Sequence, residues 1–592
     1  MSFVNVGYPK AMRNDARQTD KRFLVGFILL CVLGFVFVLR LAKFQILDRE
    51  MYSVLASDQH DMQYKIQPAR GRILIRDAQD GKDYPLAANR DSWNVFAVPR
   101  NMKDPVMVAH ELAPVLGVPD VDLVTKLTSK PDDPYELLAK DVPQETLKTL
   151  QDKAYEGVGF TRQTARLYPE TGMGGQVIGV VTANDQGNLI GRYGVESSFQ
   201  ESLAGHVGTL AAEKDARGRR LIFANASLQE AVDGSDVVLT LNRSIQYQAC
   251  DKIRKGVEEY AADSGTIIIM EPQTGAILAM CSWPDFDPSN LKEIKDVSVF
   301  NNPAVFTSYE PGSVFKAVTM AAGIDTNKVG PRTTYTDKGF EEIDDFKIKN
   351  SDEKAHGVQT MTEVLQLSLN TGTIFVERLL GKGIFRSYVS KFGFGKKSGI
   401  ELKPEGEGDV SSLERKGEVF SATASFGQGI TVTPIQLLSA FAAIGNRGRQ
   451  MKPHIVAEIR HPDGSAEKIE PSLMSQPVGS RTAQLLTGML ISVVENGHSK
   501  LAAVPGYYVA GKTGTAQVAK KDGKGYEKDA VIATFIGYAP ANDPKFVMLV
   551  KFDRPRKVAW AETCAAPVFS DMAKYMLQYF NIKPERELKA KL

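Results

Sequence analysis

The pattern of apolar positions changes character along the chain, and each change marks a segment. Phe23 to Leu39 (FLVGFILLCVLGFVFVL) run seventeen residues without a charge. The run is apolar all round, whereas a core helix shows one apolar stripe. Its length is at the short end for a membrane helix, and flanking Arg40 and Lys43 can extend the span by carrying their charges outward. The run is longer than a typical signal-peptide core, and LAKFQILDRE after it lacks a small-x-small cleavage site. An uncleaved, single-pass anchor is therefore expected over residues 23–43, since no second run of comparable length follows. Lys10, Arg13, Arg17, Lys21 and Arg22 precede the run, whereas Arg40, Lys43 and Arg49 after it are mixed with Asp48 and Glu50. This bias predicts residues 1–22 in the cytoplasm and the rest of the chain outside.

Residues 44–232 mix short alternating runs (RGRILIRD, WNVFAVP) with helix-like stretches (VMVAHELAPVLG, ETLKTLQDKAYE), interrupted by Gly and Pro. That texture predicts an irregular α+β module. From residue 233 it changes. VVLTLN reads as a strand, SIQYQACDKIRKGVEEYAA as an amphipathic helix, and GTIIIMEPQTGAILAMCS as a hairpin turning at Pro272 to Gly275. A second domain is expected over 233–580, followed by a charged end, 581–592, that frays.

Composition narrows the function classes. At 592 residues the chain is long enough for several domains, and its 43% hydrophobic and 24% charged residues are globular values. A formal net charge of +2 gives no electrostatic case for nucleic acid as a partner. The seven His are scattered and there is no zinc-ribbon or P-loop pattern, so neither a metal nor a nucleotide cofactor is expected. The four cysteines, at 31, 250, 281 and 564, are too sparse for a disulfide framework, which leaves hydrophobic cores to hold the fold.

The candidate chemistry lies in three places. In TSYEPGSVFKAVTMAAGID a Pro-Gly turn precedes Ser313, and an apolar helix follows it. A spacing of three puts Ser313 and Lys316 on one helical face. A hydroxyl needs a base to become a nucleophile, and a lysine serves only when burial and a nearby cation lower its pKa. Ser-x-x-Lys also occurs at Ser289/Lys292, Ser351/Lys354 and Ser465/Lys468, but there in polar, charged surroundings that suit exposed loops. Ser368-Leu369-Asn370 lies where a helical pattern breaks near Asn370-Thr371-Gly372, so that Ser and Asn can reach one cleft; helix capping is the plainer alternative. Ser92-Trp93-Asn94 repeats the triplet without such a setting. Lys512-Thr513-Gly514-Thr515, in YYVAGKTGTAQVA, reads as a strand whose edge can bind an extended peptide, with Gly514 allowing close backbone approach. Lys397-Ser398-Gly399 better suits an ordinary turn. Three such elements in this order are a strong combination.

At these residues the chain resembles the class B penicillin-binding proteins over nearly its whole length after the anchor. YEPGSVFK, SLN and KTGTAQ look like the family's three motifs. EPQTGAILAM, FGFGKKSGIEL and FGQGITVTPIQLLSAFAAIGNRG match intervening landmarks. In the first module RGRILIRD, ARLYPE with GGQVIGVV, and YGVESSFQESLAGHVG resemble pedestal signatures, in which Arg70, Arg166 and Glu196 are expected to act structurally. The resemblance implies a multidomain α+β protein with one transmembrane helix, an elongated dimerisation-type pedestal, and a penicillin-binding/β-lactamase-like transpeptidase domain combining an antiparallel sheet with a helical subdomain.

It further implies a serine D,D-transpeptidase that cross-links peptidoglycan and is trapped by β-lactams. Ser313 would be acylated by a stem peptide and Lys316 would take its proton. Asn370 would hold Lys316 and the substrate amide, and Ser368 would relay a proton to the leaving nitrogen. Lys512 would supply positive potential, and Thr513 and Thr515 would bind the substrate carboxylate beside Gly514. The N–H groups of Ser313 and Thr515 would form the oxyanion hole. Expected partners are a SEDS-type glycosyltransferase and other divisome proteins in the cytoplasmic (inner) membrane. The YEPGS form, the overall size and the lack of modules appended after the third motif favour the septal FtsI type. The alternatives are a side-wall elongation transpeptidase, a β-lactam-hydrolysing or sensing enzyme, or a scaffold without catalysis.

Overall fold

The computed structural model describes residues 12–49, 61–184, 189–213, 227–520 and 525–587. Its contacts divide into two compact units, Met1–Pro68 with His206–Val232, and Ala69–Gly205 with Asp233–Leu592.

In the first unit one helix runs Met12–Ala42 and continues through a π-helical turn, Lys43–Leu47. Within it Phe23–Ile46 is long and apolar enough to cross a membrane, with its side chains unburied. The helix begins inside the segment expected to be a cytoplasmic tail, of which residues 1–11 lie outside the described residues. Among the described residues the unit also holds a three-stranded antiparallel sheet, Asp61–Ile66, Gly208–Glu213 and Ser227–Gln229 in that order.

In the second unit, the strands expected from RGRILIRD and WNVFAVP form at Ile73–Arg76 and Asp83–Ala97. They belong to a seven-stranded sheet ordered Ala466–Lys468, Val456–Arg460, Asp236–Asn242, Ile73–Arg76, Asp83–Ala97 and Glu136–Val142, with Val158–Leu167 also on Asp83–Ala97. The strand Asp236–Asn242, expected to open a new domain, pairs in parallel with Ile73–Arg76, Val237 opposite Ile73. One sheet therefore runs across the anticipated boundary at 233. Polar ties reinforce that junction: Arg72 to Asp236 at 2.6 Å, Arg243 to Glu170 at 2.7 Å, and Asp77 accepting from both Ser244 and Tyr579. Nearby, Glu196 is fully buried between Arg70 and Arg166 (2.5 and 2.8 Å), with the geometry of an internal brace.

The hairpin read from GTIIIM…ILAMCS forms as Ser264–Met270 and Ile277–Trp283. It starts a five-stranded antiparallel sheet that continues Phe546–Asp553, Tyr526–Ala539 and Ala510–Ala519, the last strand at the edge. Alternation divides its side chains between two cores. Ile267 and Ile269 pack with Ile253, Phe569 and Met572 from helices Arg243–Tyr260 and Ala565–Tyr579. Ile268 and Met270 face the other core, shared with Val318, Leu438 and Leu490 of helices Lys316–Asp325, Pro434–Gly445 and Ser480–Asn496.

Two expectations are corrected. Cys250, on the helix Arg243–Tyr260, and Cys281, on the strand Ile277–Trp283, form a disulfide with Cα atoms 5.3 Å apart. The helix lies on the strand, so packing brings together residues separated by 31 positions. Cys31 and Cys564 are free, and burial pushes the Cys564 thiol up to about 12. The charged end does not fray from 581. Glu585 accepts from Tyr508 N–H and Asn542, and Arg586 forms a two-pronged pair with Glu495 at 2.9 Å. Only residues 588–592 of that end lie outside the described residues.

Candidate active site

The turn before Ser313 is built by close backbone packing. Tyr309 exchanges both main-chain hydrogen bonds with Val432, and Gly312, at φ +58°, donates its N–H to Gly427 O at 3.0 Å. A Cβ on Gly427 would stand 2.3 Å from Gly312 O. Gly312–Phe315 form a 3₁₀ turn, and the α-helix begins at Lys316. Ser313 thus sits in the tighter turn ahead of the helix, where positions i and i+3 are nearly eclipsed.

Lys316 and Lys512 are both fully buried, and both amines reach Ser368. Lys316 Nζ contacts the carbonyl oxygen of Ser368 closely and lies 3.3 Å from its Oγ. Lys512 Nζ donates to the same Oγ at 3.0 Å and to Thr513 O at 3.1 Å. Burial, reinforced by the charge of Lys512, holds Lys316 well below the ordinary lysine value. Burial brings Lys512 down to about 7 against an upward pull from Glu562. Lys316 is thereby suited to be the neutral base and Lys512 the residual cation. Ser368 adopts φ +55°, an uncommon conformation for a residue with a Cβ, which aims both its carbonyl and its hydroxyl at the two amines.

The helical break lies at Leu367–Leu369, slightly earlier than expected, and Asn370 starts the helix Asn370–Leu380. Its amide donates to Lys349 O at 2.8 Å and makes no hydrogen bond to Lys316, contrary to the role implied by resemblance. The preference has a structural cause, since the hairpin Phe340–Ile343/Phe346–Lys349 lies beside this helix start. A buried network secures them. Thr371 Oγ1 donates to Asp337 at 2.8 Å, and Asn350 donates to both oxygens of Asp337. Asp337 and Asn350 stand in loop-like sequence, and no pattern there pointed to them.

The third motif lies on the edge strand Ala510–Ala519, as read from its alternation. Thr515 lines the groove described below, its Oγ1 accepting from Ala561 N–H at 3.2 Å. Thr513 is buried with its hydroxyl 3.3 Å from Ser499, so only one of the two threonines faces the groove. Gly514 is needed for a different neighbour than expected. A Cβ there would lie 2.9 Å from Val314 Cγ1 and 3.0 Å from Pro311 O, so the nucleophile turn itself packs on this glycine. Glu310 ties the same turn to its surroundings, accepting from Gly429 N–H at 3.0 Å and Tyr526 OH at 3.1 Å, and burial raises its carboxyl. FGQG was legible as a landmark, but its work in shaping the turn was not.

A groove of about 1090 Å³ adjoins the second and third motifs, lined by Asn370, Thr515, Lys349, Arg554, Lys557 and Trp560 among others. Of the other Ser-x-x-Lys pairs, Ser289/Lys292 and Ser465/Lys468 are exposed, and Ser351/Lys354 is exposed at the groove's rim. Ser398 is spent on Glu405, and Ser92 and Asn94 are buried in a pedestal strand. No group of three His, Cys, Asp or Glu suited to a metal occurs among the described residues.

Residues 265–574 match the penicillin binding protein transpeptidase domain, and residues 65–239 the penicillin-binding protein dimerisation domain. Stage V sporulation protein D of Bacillus subtilis is 33% identical, over 97% of this chain and 88% of its own. Peptidoglycan D,D-transpeptidase FtsI of Buchnera aphidicola is 28% identical, over 96% of this chain and 97% of its own. The structure of penicillin binding protein 3 from Mycobacterium tuberculosis, complexed with aztreonam, superposes with a TM-score of 0.67 at 26% identity, covering 89% of this chain and 99% of that one. The chain belongs to the class B penicillin-binding proteins of the FtsI type, a family of peptidoglycan D,D-transpeptidases.

Proposed function

We propose that this protein cross-links peptidoglycan through an acyl-Ser313 intermediate. Ser313 Oγ attacks the carbonyl between the two terminal D-Ala residues of a stem peptide as its proton passes to Lys316. The tetrahedral oxyanion is held by the N–H groups of Ser313 and Thr515, and its collapse breaks the peptide bond. Ser368, which contacts both lysines, passes a proton to the departing D-Ala nitrogen. An amine from a neighbouring strand then attacks the ester and frees Ser313. Lys512 supplies positive potential and Thr515 meets the substrate carboxylate, with Gly514 admitting the turn that carries the nucleophile. Asn370 shapes the groove through Lys349 and meets the substrate amide from the groove wall. The observation that carries this reading is the convergence of two fully buried lysines on Ser368, one of them a helical turn from Ser313.

In this reading residues 44–232 are the pedestal and 233–580 the transpeptidase domain. The apolar helix anchors the protein in the cytoplasmic membrane with the catalytic domain outside, as the basic residues ahead of the helix favour. The motif form and size that resemble the septal FtsI type favour work at the division septum, and the family resemblance implies a SEDS-type glycosyltransferase beside it. Depletion giving filaments supports the septal role, whereas rounded cells would assign it to side-wall elongation.

The test of the chemistry is labelling of the purified protein with a fluorescent penicillin. A stable adduct is expected on wild type and Ser351→Ala and none on Ser313→Ala. Rapid loss of label would make the protein a hydrolase. Labelling that survives in Ser313→Ala would overturn the assignment of the nucleophile.

A further inference from the structure

Beyond the three motifs the groove has a charge pattern that the acyl-transfer chemistry does not use. Two separate parts of the fold bring cations to it. The strand Phe346–Lys349 supplies Lys347 and Lys349, and the segment after the strand Phe546–Asp553 supplies Arg554, Arg556 and Lys557. Against these five cations the groove lining holds two carboxylates, Glu353 and Asp529.

Three of the five have partners. Lys349 pairs with Glu353 at 2.7 Å, Arg554 with Glu527 at 2.8 Å, and Arg556 with Asp263. Lys347 and Lys557 have no carboxylate partner among the described residues, and both are exposed. Lys347 lies over the Phe340 ring at 3.6 Å, an arrangement that fixes the ammonium without neutralising it. Two unneutralised ammonium groups lining a groove continuous with Asn370 and Thr515 suit a ligand that brings negative charge of its own.

We propose that the groove selects an acidic peptide. The form it prefers is a stem with a side-chain carboxylate upstream of the terminal D-Ala pair, which Lys347 and Lys557 discriminate from the corresponding carboxamide. The proposal rests on the transpeptidase reading for what enters the groove, and adds which chemical form is preferred. A carboxylate meeting a solvated lysine gains a modest, salt-sensitive attraction that a carboxamide lacks, so each contact is expected to give about 3-fold and the pair about 10-fold.

The experiment uses the full-length protein in detergent and the rate at which fluorescent penicillin acylates Ser313. Two synthetic peptides ending in D-Ala-D-Ala, identical except for a carboxylate or a carboxamide on the preceding side chain, are added as competitors. The carboxylate peptide is expected to half-block labelling at about one-tenth the concentration of its amide at low salt, with the gap closing as salt rises. In the variant Lys347→Gln/Lys557→Gln the two peptides should compete equally, each measured against that variant's own labelling rate without competitor. Equal competition on wild type, no competition by either peptide, or a preference that survives in the double variant would overturn the proposal. A wild-type protein that takes no label would instead sink the transpeptidase reading, so the two failures are distinct.

Discussion

Lys512 Nζ donates to Ser368 Oγ at 3.0 Å across 144 positions of sequence, and Lys316 Nζ lies 3.3 Å from the same oxygen. Two buried amines on one half-buried hydroxyl cannot both stay charged at ordinary cost. The arrangement therefore separates their roles, and the first prediction follows from it.

Lys316 titrates well below an ordinary lysine, chiefly through burial and then through the charge of Lys512. Penicillin acylation should rise with pH as Lys316 loses its proton, and decline as Lys512, near 7, loses its charge. The two limbs belong to the coupled pair. Removing the positive neighbour in Lys512→Gln lets the pKa of Lys316 climb, which moves the rising limb to higher pH. A rising limb that stays in place when the second-order acylation rate is measured against pH would show that Lys512 does not tune Lys316.

Ser368 combines a functional hydroxyl with a left-handed backbone. Ser368→Ala and Ser368→Gly should both lower the acylation rate by about 10²–10⁴-fold, because each removes the proton relay. Their stabilities should differ, with Gly roughly 1 kcal/mol above Ala, since only Gly takes φ +55° without strain. Denaturant unfolding beside acylation kinetics separates the two effects. Equal stabilities would mean that the backbone conformation costs nothing.

Glycine at 427 and at 514 answers to the nucleophile turn, with different severity. Ala at 427 would drive a Cβ to 2.3 Å from Gly312 O at a φ of +83°, with backbone on both sides of the clash. Ala at 514 meets the movable Val314 methyl at 2.9 Å, with Pro311 O at 3.0 Å. Gly427→Ala should therefore cost several kcal/mol, about 3 or more, and most labelling, whereas Gly514→Ala should fold and label slowly. The thermal midpoint and penicillin labelling of each variant test that ranking, and the reverse order would refute it.

The disulfide Cys250–Cys281 closes a loop across 31 positions. A cross-link of that reach is expected to contribute roughly 3–4 kcal/mol on chain entropy. Cys250→Ala/Cys281→Ala should lower the thermal midpoint, and dithiothreitol should do the same to wild type with no further effect on the variant. An unchanged midpoint in both would mean that the helix–strand packing holds without the bond.

The sequence was most legible where one element carries its own signal. The all-round apolarity of Phe23–Leu39, the hairpin around Pro272 to Gly275, the edge strand with Lys512 and the apolar helix that follows Ser313 are local patterns, and each formed. The depressed pKa of Lys316 was legible only as a requirement of the chemistry. What escaped was pairwise and long-range: the Cys250–Cys281 bond, the tie from Arg586 to Glu495, the Asp337–Asn350–Thr371 network, and the real neighbours of Asn370 and Gly514.

Residue type and spacing by themselves determined the elements and the motif order, because periodicity and helical offset are properties of neighbours along the chain, and the motifs so placed carried the resemblance to the family. Tertiary structure decided which atoms of those motifs meet. It passed one sheet through the boundary at 233, covered Thr513 while leaving Thr515 at the groove, and set two buried lysines on Ser368. Such contacts depend on how layers pack and on which groups lose water in doing so, and neither is encoded at any single position.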